Sequence, residues 1–228
     1  MSKKRWKTRG QMSESMLTIA FLTLSGGLQD AYSYCVRGKV FANAQTGNIV
    51  LMSGHFFEGE WAAGLQYLIP ILFFAFGVFA AEQVRDRFRK VQRVHWRQLI
   101  VIGEILLLFL VGFLPERMDL MANSITSFAC AMQVQTFRKV NGCAFASTMC
   151  IGNLRSGVEA FCRYEQEGDR SMLVKGLEYF GVIGLFAVGA GAGSRLAGSL
   201  GARTIWVCCA LLLVSFTLMF IREDIENR

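Results

Sequence analysis

The apolar positions of this chain gather into long blocks rather than short alternating runs. Segments 61–81, 120–137 and 204–221 contain no charged residue; 98–114 contains only Glu104, 176–194 only Glu178 and 16–34 only Asp30. About 20 mostly apolar residues cross the roughly 30 Å hydrocarbon core as a helix, so these six blocks are predicted transmembrane helices. Two further stretches, 40–57 and 140–154, are apolar overall but interrupted by Asn, Gln, Thr, Ser and Gly. They either span or dip into the membrane and return. Segment 155–175 mixes eight charges with Val158, Phe161 and Cys162, the pattern of an amphipathic helix on the bilayer or over an inner vestibule.

Charge decides between six and eight crossings. With eight, and the N-terminus inside, the 24 Lys and Arg divide evenly, 12 to each side. With six, 19 fall inside and five outside (Arg37, Lys39, Arg117, Arg195 and Arg203). Cytoplasmic loops carry the Lys/Arg excess, so six spans are expected. The predicted fold class is an all-α membrane protein with six transmembrane helices plus two polar re-entrant or broken-helix segments. It is expected in the cytoplasmic (inner) membrane with both termini cytoplasmic. Residues 1–15 form a basic N-terminus, 16–221 one integral domain and 222–228 a cytoplasmic tail.

Composition agrees. With 53% hydrophobic and 18% charged residues, the chain lacks the charged surface that a soluble domain of 228 residues needs. The net charge of +7 does not point to nucleic acid, because the basic residues stand beside apolar segments, where they hold the chain to the cytoplasmic leaflet. Seven Cys, none in a Cys-x-x-Cys pair, read as small buried hydrophobes, and His55 and His95 are isolated. Neither a metal nor a cofactor is expected. The basic residues before Met16 precede no obvious small-x-small cleavage site, so the first block is expected to stay as a helix.

The two halves echo each other. Gly27-Leu28-Gln29 followed by Phe41-Ala42-Asn43-Ala44-Gln45-Thr46-Gly47-Asn48-Ile49 corresponds to Ala131-Met132-Gln133 followed by Phe145-Ala146-Ser147-Thr148-Met149-Cys150-Ile151-Gly152-Asn153-Leu154, at offsets of 104 or 105 residues. Three full spans separate the copies, so repeats 16–115 and 120–221 are expected to enter the membrane from opposite sides. That inverted plan is common to many transporters and channels. The Gly-Asn stretches then meet near the midplane, with Gly47 and Gly152 letting the chain turn and Asn48 and Asn153 capping helix starts. Non-helical backbone at that depth must be buried in protein or line a wet cavity.

Gly26-Gly27-x-Gln29-Asp30-Ala31 followed by Phe41-Ala42-Asn43-Ala44-Gln45-Thr46-Gly47-Asn48 resembles the YoaK-like family of bacterial multi-pass membrane proteins, a domain of unknown function. The resemblance covers nearly the whole chain, from about Met16 to Ile221. It implies an integral membrane protein of about six helices and brings neither substrate nor reaction. The second copy departs from the first, with Ile151 in place of the Thr and Val134-Gln135 in place of Asp30-Ala31. Any role of the hydroxyl or carboxylate is therefore asymmetric.

Polar groups at membrane depth are the candidates for chemistry. Asp30, roughly 21 Å along its helix from Met16, is either a proton or cation site beside Gln29 and Asn48, or a helix-end carboxylate paired with Arg37 or Lys39. Glu104, about two turns into its span, is either a proton-carrying acid or a group that snorkels or bonds a neighbouring Ser or Gln. With Asn43, Thr46, Gly47, Gln133, Gly152 and Asn153 they make up the expected substrate or ion pathway. Glu82 and Glu178 are expected interfacial counterions. Gly189 and Gly193 form a Gly-x-x-x-Gly pair in the small-residue helix 181–193, which packs on another helix of the chain or on a second subunit of a homo-oligomer. No intramembrane His stands beside Cys143 or Cys150, so catalytic residues are not expected. A small-solute transporter or channel is the expected function, with the lipid bilayer and an unknown small solute or ion as partners. The alternative is a non-transporting scaffold or sensor acting through helix packing and partners.

Overall fold

The structure is a computed structural model that describes residues 16–88, 96–140, 143–144 and 148–226. The expectations for residues 1–15, His95, Phe145, Ala146, Ser147 and Arg228 lie outside the described residues. Among the described residues, eight α-helices follow in order: α1 Met16–Val36, α2 Gln45–Phe57, α3 Trp61–Phe88, α4 Trp96–Val111, α5 Asp119–Thr136, α6 Cys150–Glu167, α7 Arg170–Leu200 and α8 Ile205–Glu226. A two-residue antiparallel bridge, Lys139–Val140 with Cys143–Ala144, stands between α5 and α6.

The fold is helical, as the block pattern predicts, and α1, α3, α4, α5, α7 and α8 each cover one of the six apolar blocks. The segments between them differ from expectation. Stretches 140–154 and 155–175 are not separate elements, because α6 begins at Cys150 and runs through Arg155 without a break. It stops only at Gly168, whose left-handed φ of +67° suits glycine. Asp169 then caps α7 by accepting from the Ser171 N–H (2.9 Å) and hydroxyl (2.6 Å), so α7 starts at Arg170 rather than at 176. These bonds hold the Asp169 carboxyl below the usual carboxylate range.

Polarity is distributed inside out. Thr18, Ser25, Gln29, Asn48, Glu104, Thr126 and Ser215 are fully buried, while Val50, Phe57, Phe113, Ile151 and Val188 are more than 60% exposed. Water would drive the reverse arrangement, whereas hydrocarbon tolerates apolar side chains outside and requires polar ones to be sheltered. Two helical stretches, Trp61–Phe88 and Arg170–Met219, are long and apolar enough to cross a membrane by length and composition. α1 and α5 are more polar, and both are largely enclosed by protein.

Three pairs of helix contacts resemble one another. α7 lies on α1 as α3 lies on α5, α8 on α1 as α4 on α5, and α6 on α7 as α2 on α3. A Cβ at Gly189 would overlap the Leu24 carbonyl of α1, and one at Gly77 the Phe128 carbonyl of α5. Likewise the Phe56 ring fills the place of a Cβ at Gly64, and the Phe161 ring that at Gly176. α1 and α5 run antiparallel, and so do α4 and α8. α1 meets α5 through Arg37 with Asn123 at one level and Gln29 with Cys130 further down, and α4 meets α8 through Phe109 with Trp206 and Ile105 with Cys209.

The Gly-x-x-x-Gly pair is thereby assigned within the chain. Gly189 and Gly193 face α1, with a Gly193 Cβ 2.9 Å from that of Ala31, whereas Gly184 and Gly191 have nothing within 4 Å. Gly189→Val is expected to lower stability by about 1–3 kcal/mol through overpacking, and Gly184→Val by less than about 0.5 kcal/mol. Thermal melting of the detergent-solubilised protein checks both.

Candidate functional site

The polar centre forms where α1 crosses α5. α1 has two glycines in its middle, which admit neighbouring backbone on two sides. A Cβ at Gly27 would overlap the Phe186 carbonyl of α7, and one at Gly26 would overlap the Thr148 methyl. Next along α1, Gln29 donates from Nε2 to Ser25 Oγ (3.0 Å) and to Glu104 Oε1 of α4 (3.1 Å), while its Oε1 accepts from the Cys130 thiol. Gln133 approaches the same acid from α5. With its amide nitrogen turned toward Glu104, it donates to both carboxylate oxygens, at 2.9 and 3.2 Å. Glu104 is thus held between the two glutamines, fully buried and without a basic partner among the described residues. It does not snorkel. A carboxyl held only by neutral donors can carry a proton or receive a cation that enters from outside the protein.

The connection from α1 to α2 returns into this centre. Gly38 and Lys39 turn the chain with left-handed φ of +79° and +64°. Val40, Ala42 and Asn43 are then buried. Asp30 Oδ1 accepts from the Asn43 N–H at 2.6 Å. Asn43 Nδ2 donates to the Gly26 carbonyl (3.2 Å), while its Oδ1 is buried without a partner. Neither Arg37 nor Lys39 pairs with Asp30: Arg37 is committed to Asp119 (2.9 Å), Tyr32 and the carbonyls of Val111 and Leu114.

Asn48 is not an N-cap. It lies inside the first turn of α2, where Oδ1 accepts from the Phe41 N–H (2.9 Å) and Nδ2 donates to the Phe41 carbonyl (2.7 Å) and to Gln45 Oε1 (2.9 Å). Gly47 is helical and does not turn the chain. Its missing side chain makes room for the Phe41 ring, 3.1 Å from where a Cβ would stand. Thr46 faces outward and is exposed.

The second segment reaches the same place. Thr148 is buried against Gly26, on the helix position that also receives Asn43, and its hydroxyl has no partner. α6 starts two residues later. Asn153 is buried in its first turn, and Gly152 faces open space. The structure therefore brings Gln29, Asp30, Asn43, Glu104 and Gln133 together and leaves Thr46 and Gly152 apart from them.

Three participants were missed in the sequence. Cys130 and Thr148 resembled ordinary small residues, although Cys130 stands at the repeat counterpart of Gly26. Arg37 read as a loop cation, and only the fold shows it buried. At the other end of α3, Glu82 accepts from Gln135 and pairs with Arg85 and, at 3.8 Å, with Arg138, as expected of an interfacial counterion. His55 lies beside Glu60 (2.6 Å) and stacks on Tyr67; with Glu58 they bring three potential ligand atoms within 4.8 Å, largely exposed.

Residues 18–218 match the family described as "Protein of unknown function (DUF1275)". The chain belongs to this family. DUF1275 membership agrees with the uncharacterised family that the glycine-Asp and Thr-Gly-Asn motifs resemble, although the match does not itself carry the YoaK-like name. No curated protein and no solved structure matches the chain.

In this DUF1275 protein, Asn48→Ala leaves the half-buried Phe41 N–H and carbonyl without partners. It is expected to destabilise the α1–α2 connection by about 2–4 kcal/mol, while Thr46→Ala leaves it intact. Limited proteolysis of residues 38–45 reads the difference.

Proposed function

We propose that the chain is a six-span protein of the cytoplasmic membrane that passes a small polar solute or ion. The observation that carries this reading is the convergence of two interrupted segments, at Asn43 and Thr148, on one glycine near the middle of α1. α1, α3, α4, α5, α7 and α8 are the spans. α2 and α6 are half-helices whose starts lie at membrane depth and whose far ends emerge on opposite faces. The matched packing of the halves and the antiparallel sense of α1 with α5 and of α4 with α8 support an inverted repeat. Lys/Arg counting orients it, with α2 entering from outside, α6 from inside and both termini cytoplasmic.

In this reading Gln29, Asp30, Asn43, Glu104, Gln133 and Thr148 surround the pathway, and Asn48 and Asn153 shape the two half-helices. Glu104 is the proton or cation site and Asp30 fixes the first segment. The outward glycines of α7, Gly184 and Gly191, are the surface for a homo-oligomer. A second reading, a membrane scaffold, is favoured by one observation: every side-chain donor and acceptor of Asn48 is already used within its own segment.

Single cysteines at Ala44 and Met149 in a Cys-depleted chain separate the two. Under the transport reading, a membrane-impermeant maleimide labels Ala44→Cys from the periplasmic side and Met149→Cys from the cytoplasmic side. Absence of labelling at both positions, with loop controls reacting, would leave the scaffold.

A further inference from the structure

We infer, resting on the solute-pathway reading, that the ion carried is an alkali-metal cation, and that Asp30, Asn43 and Thr148 bind it beside one turn of α1. The charge balance of the polar centre sets the sign. Asp30 and Glu104 are both buried acids, and no Lys, Arg or His among the described residues bonds either one. The buried Arg37 is spent on Asp119, Tyr32 and two carbonyls of the α4 end. Glu104 is met by two amide donors, whereas Asp30 accepts at Oδ1 from the Asn43 N–H. A carboxylate offers about four lone-pair sites, so Asp30 keeps acceptor capacity. Its charge also bears on Cys130 of α5 and on Cys150 at the start of α6. An anion is repelled there, and a cation relieves the cost of a buried carboxylate that lacks a counter-charge.

Two further oxygens decide between a proton and a metal ion. Asn43 Oδ1 and Thr148 Oγ1 have no partner, although each residue is only 8% exposed. The Asn43 amide is held by its nitrogen, which donates to the Gly26 carbonyl (3.2 Å), so Oδ1 is its open end. The neighbouring Cys130 thiol spends its proton on Gln29 Oε1. Both side chains reach the same helix position, since a Cβ on Gly26 lies 3.7 Å from Thr148 Cβ and 3.9 Å from Asn43 Nδ2. Asp30 stands one turn further on, on the same face of α1. A proton on Asp30 would remove the charge and leave both oxygens unpartnered. A cation takes lone pairs from all three. Carboxylate, amide and hydroxyl oxygens are hard ligands, which excludes thiophilic metals, and one carboxylate with two neutral oxygens matches a single positive charge. The Thr148 methyl already fills the place of a Gly26 Cβ, which leaves no room there for the carbon groups of an organic ammonium ion.

Binding of radioactive sodium to the full-length chain in lipid nanodiscs tests this, with choline chloride holding the ionic strength constant. Saturable binding is expected, displaced by unlabelled sodium. Asp30→Asn, which keeps an acceptor for the Asn43 N–H, is expected to abolish it. Thr148→Val removes a hydroxyl that bonds nothing else and is expected to weaken sodium about tenfold, while Thr148→Ser keeps the hydroxyl and the affinity. No saturable sodium binding, or binding unchanged in Asp30→Asn or in Thr148→Val, would each overturn the assignment. So would a loss in Thr148→Ser equal to that in Thr148→Val, which would trace the effect to packing. If sodium fails to bind while Ala44→Cys and Met149→Cys label from opposite faces, the cation assignment falls and the pathway stands. If sodium binds while neither cysteine labels, the reverse holds.

Discussion

Backbone that leaves the helix inside an apolar environment must find every hydrogen-bond partner within the protein, and the rest of this structure depends on how that is done around α1. Between α1 and α2 the chain is non-helical, with Val40, Ala42 and Asn43 buried, so the N–H and carbonyl groups there cannot turn to solvent. Asp30 accepts from the Asn43 N–H, and Asn48 closes both polar groups of Phe41. At the other end, Asn123 donates to the Arg37 carbonyl while the Arg37 guanidinium serves the frayed carbonyls of α4 and Asp119 at the start of α5. The polar residues around α1 thus divide into two kinds. Asn48 and Arg37 are consumed by the backbone; Asn43 and Thr148 keep an unpartnered buried atom.

α1 is the element that makes this geometry available. Gly27 admits α7 on one side, Gly26 admits Thr148 on another, and Gln29 projects toward α4 and α5. Larger residues at either glycine would push apart helices that meet through backbone. The halves are also not equivalent where it matters chemically. Both supply a glutamine to Glu104, but Glu104 itself has Cys208 and Cys209 near its repeat position, and Asp30 has Val134. One acid between two matched amides is a different device from two acids facing each other.

The helical architecture was legible because apolar blocks without charges leave few alternatives. Segment boundaries were less legible. Nothing local in the sequence separates Leu154 from Arg155, and a change from apolar to charged composition looked like the end of one element when it was the same helix leaving its burial. Roles of single polar residues were least legible of all. Asn48 and Asn43 are the same residue type five positions apart, and only the fold distinguishes the one that clamps Phe41 from the one that keeps an open acceptor. Arg37 was visible as a charge, but its burial depends on α4 and α5, more than 70 residues away.

In the proposed architecture the segment before α6 reaches the middle of α1 from the side opposite to α2. A Cβ placed on Gly26 lies 3.7 Å from that of Thr148, within the spacing a disulfide requires. In a Cys-depleted chain, the double variant Gly26→Cys, Thr148→Cys is therefore expected to form an intramolecular disulfide on mild oxidation in the membrane, read as a mobility shift reversed by reductant. No cross-link in that pair, with a control pair across the α1–α7 contact closing readily, would contradict it.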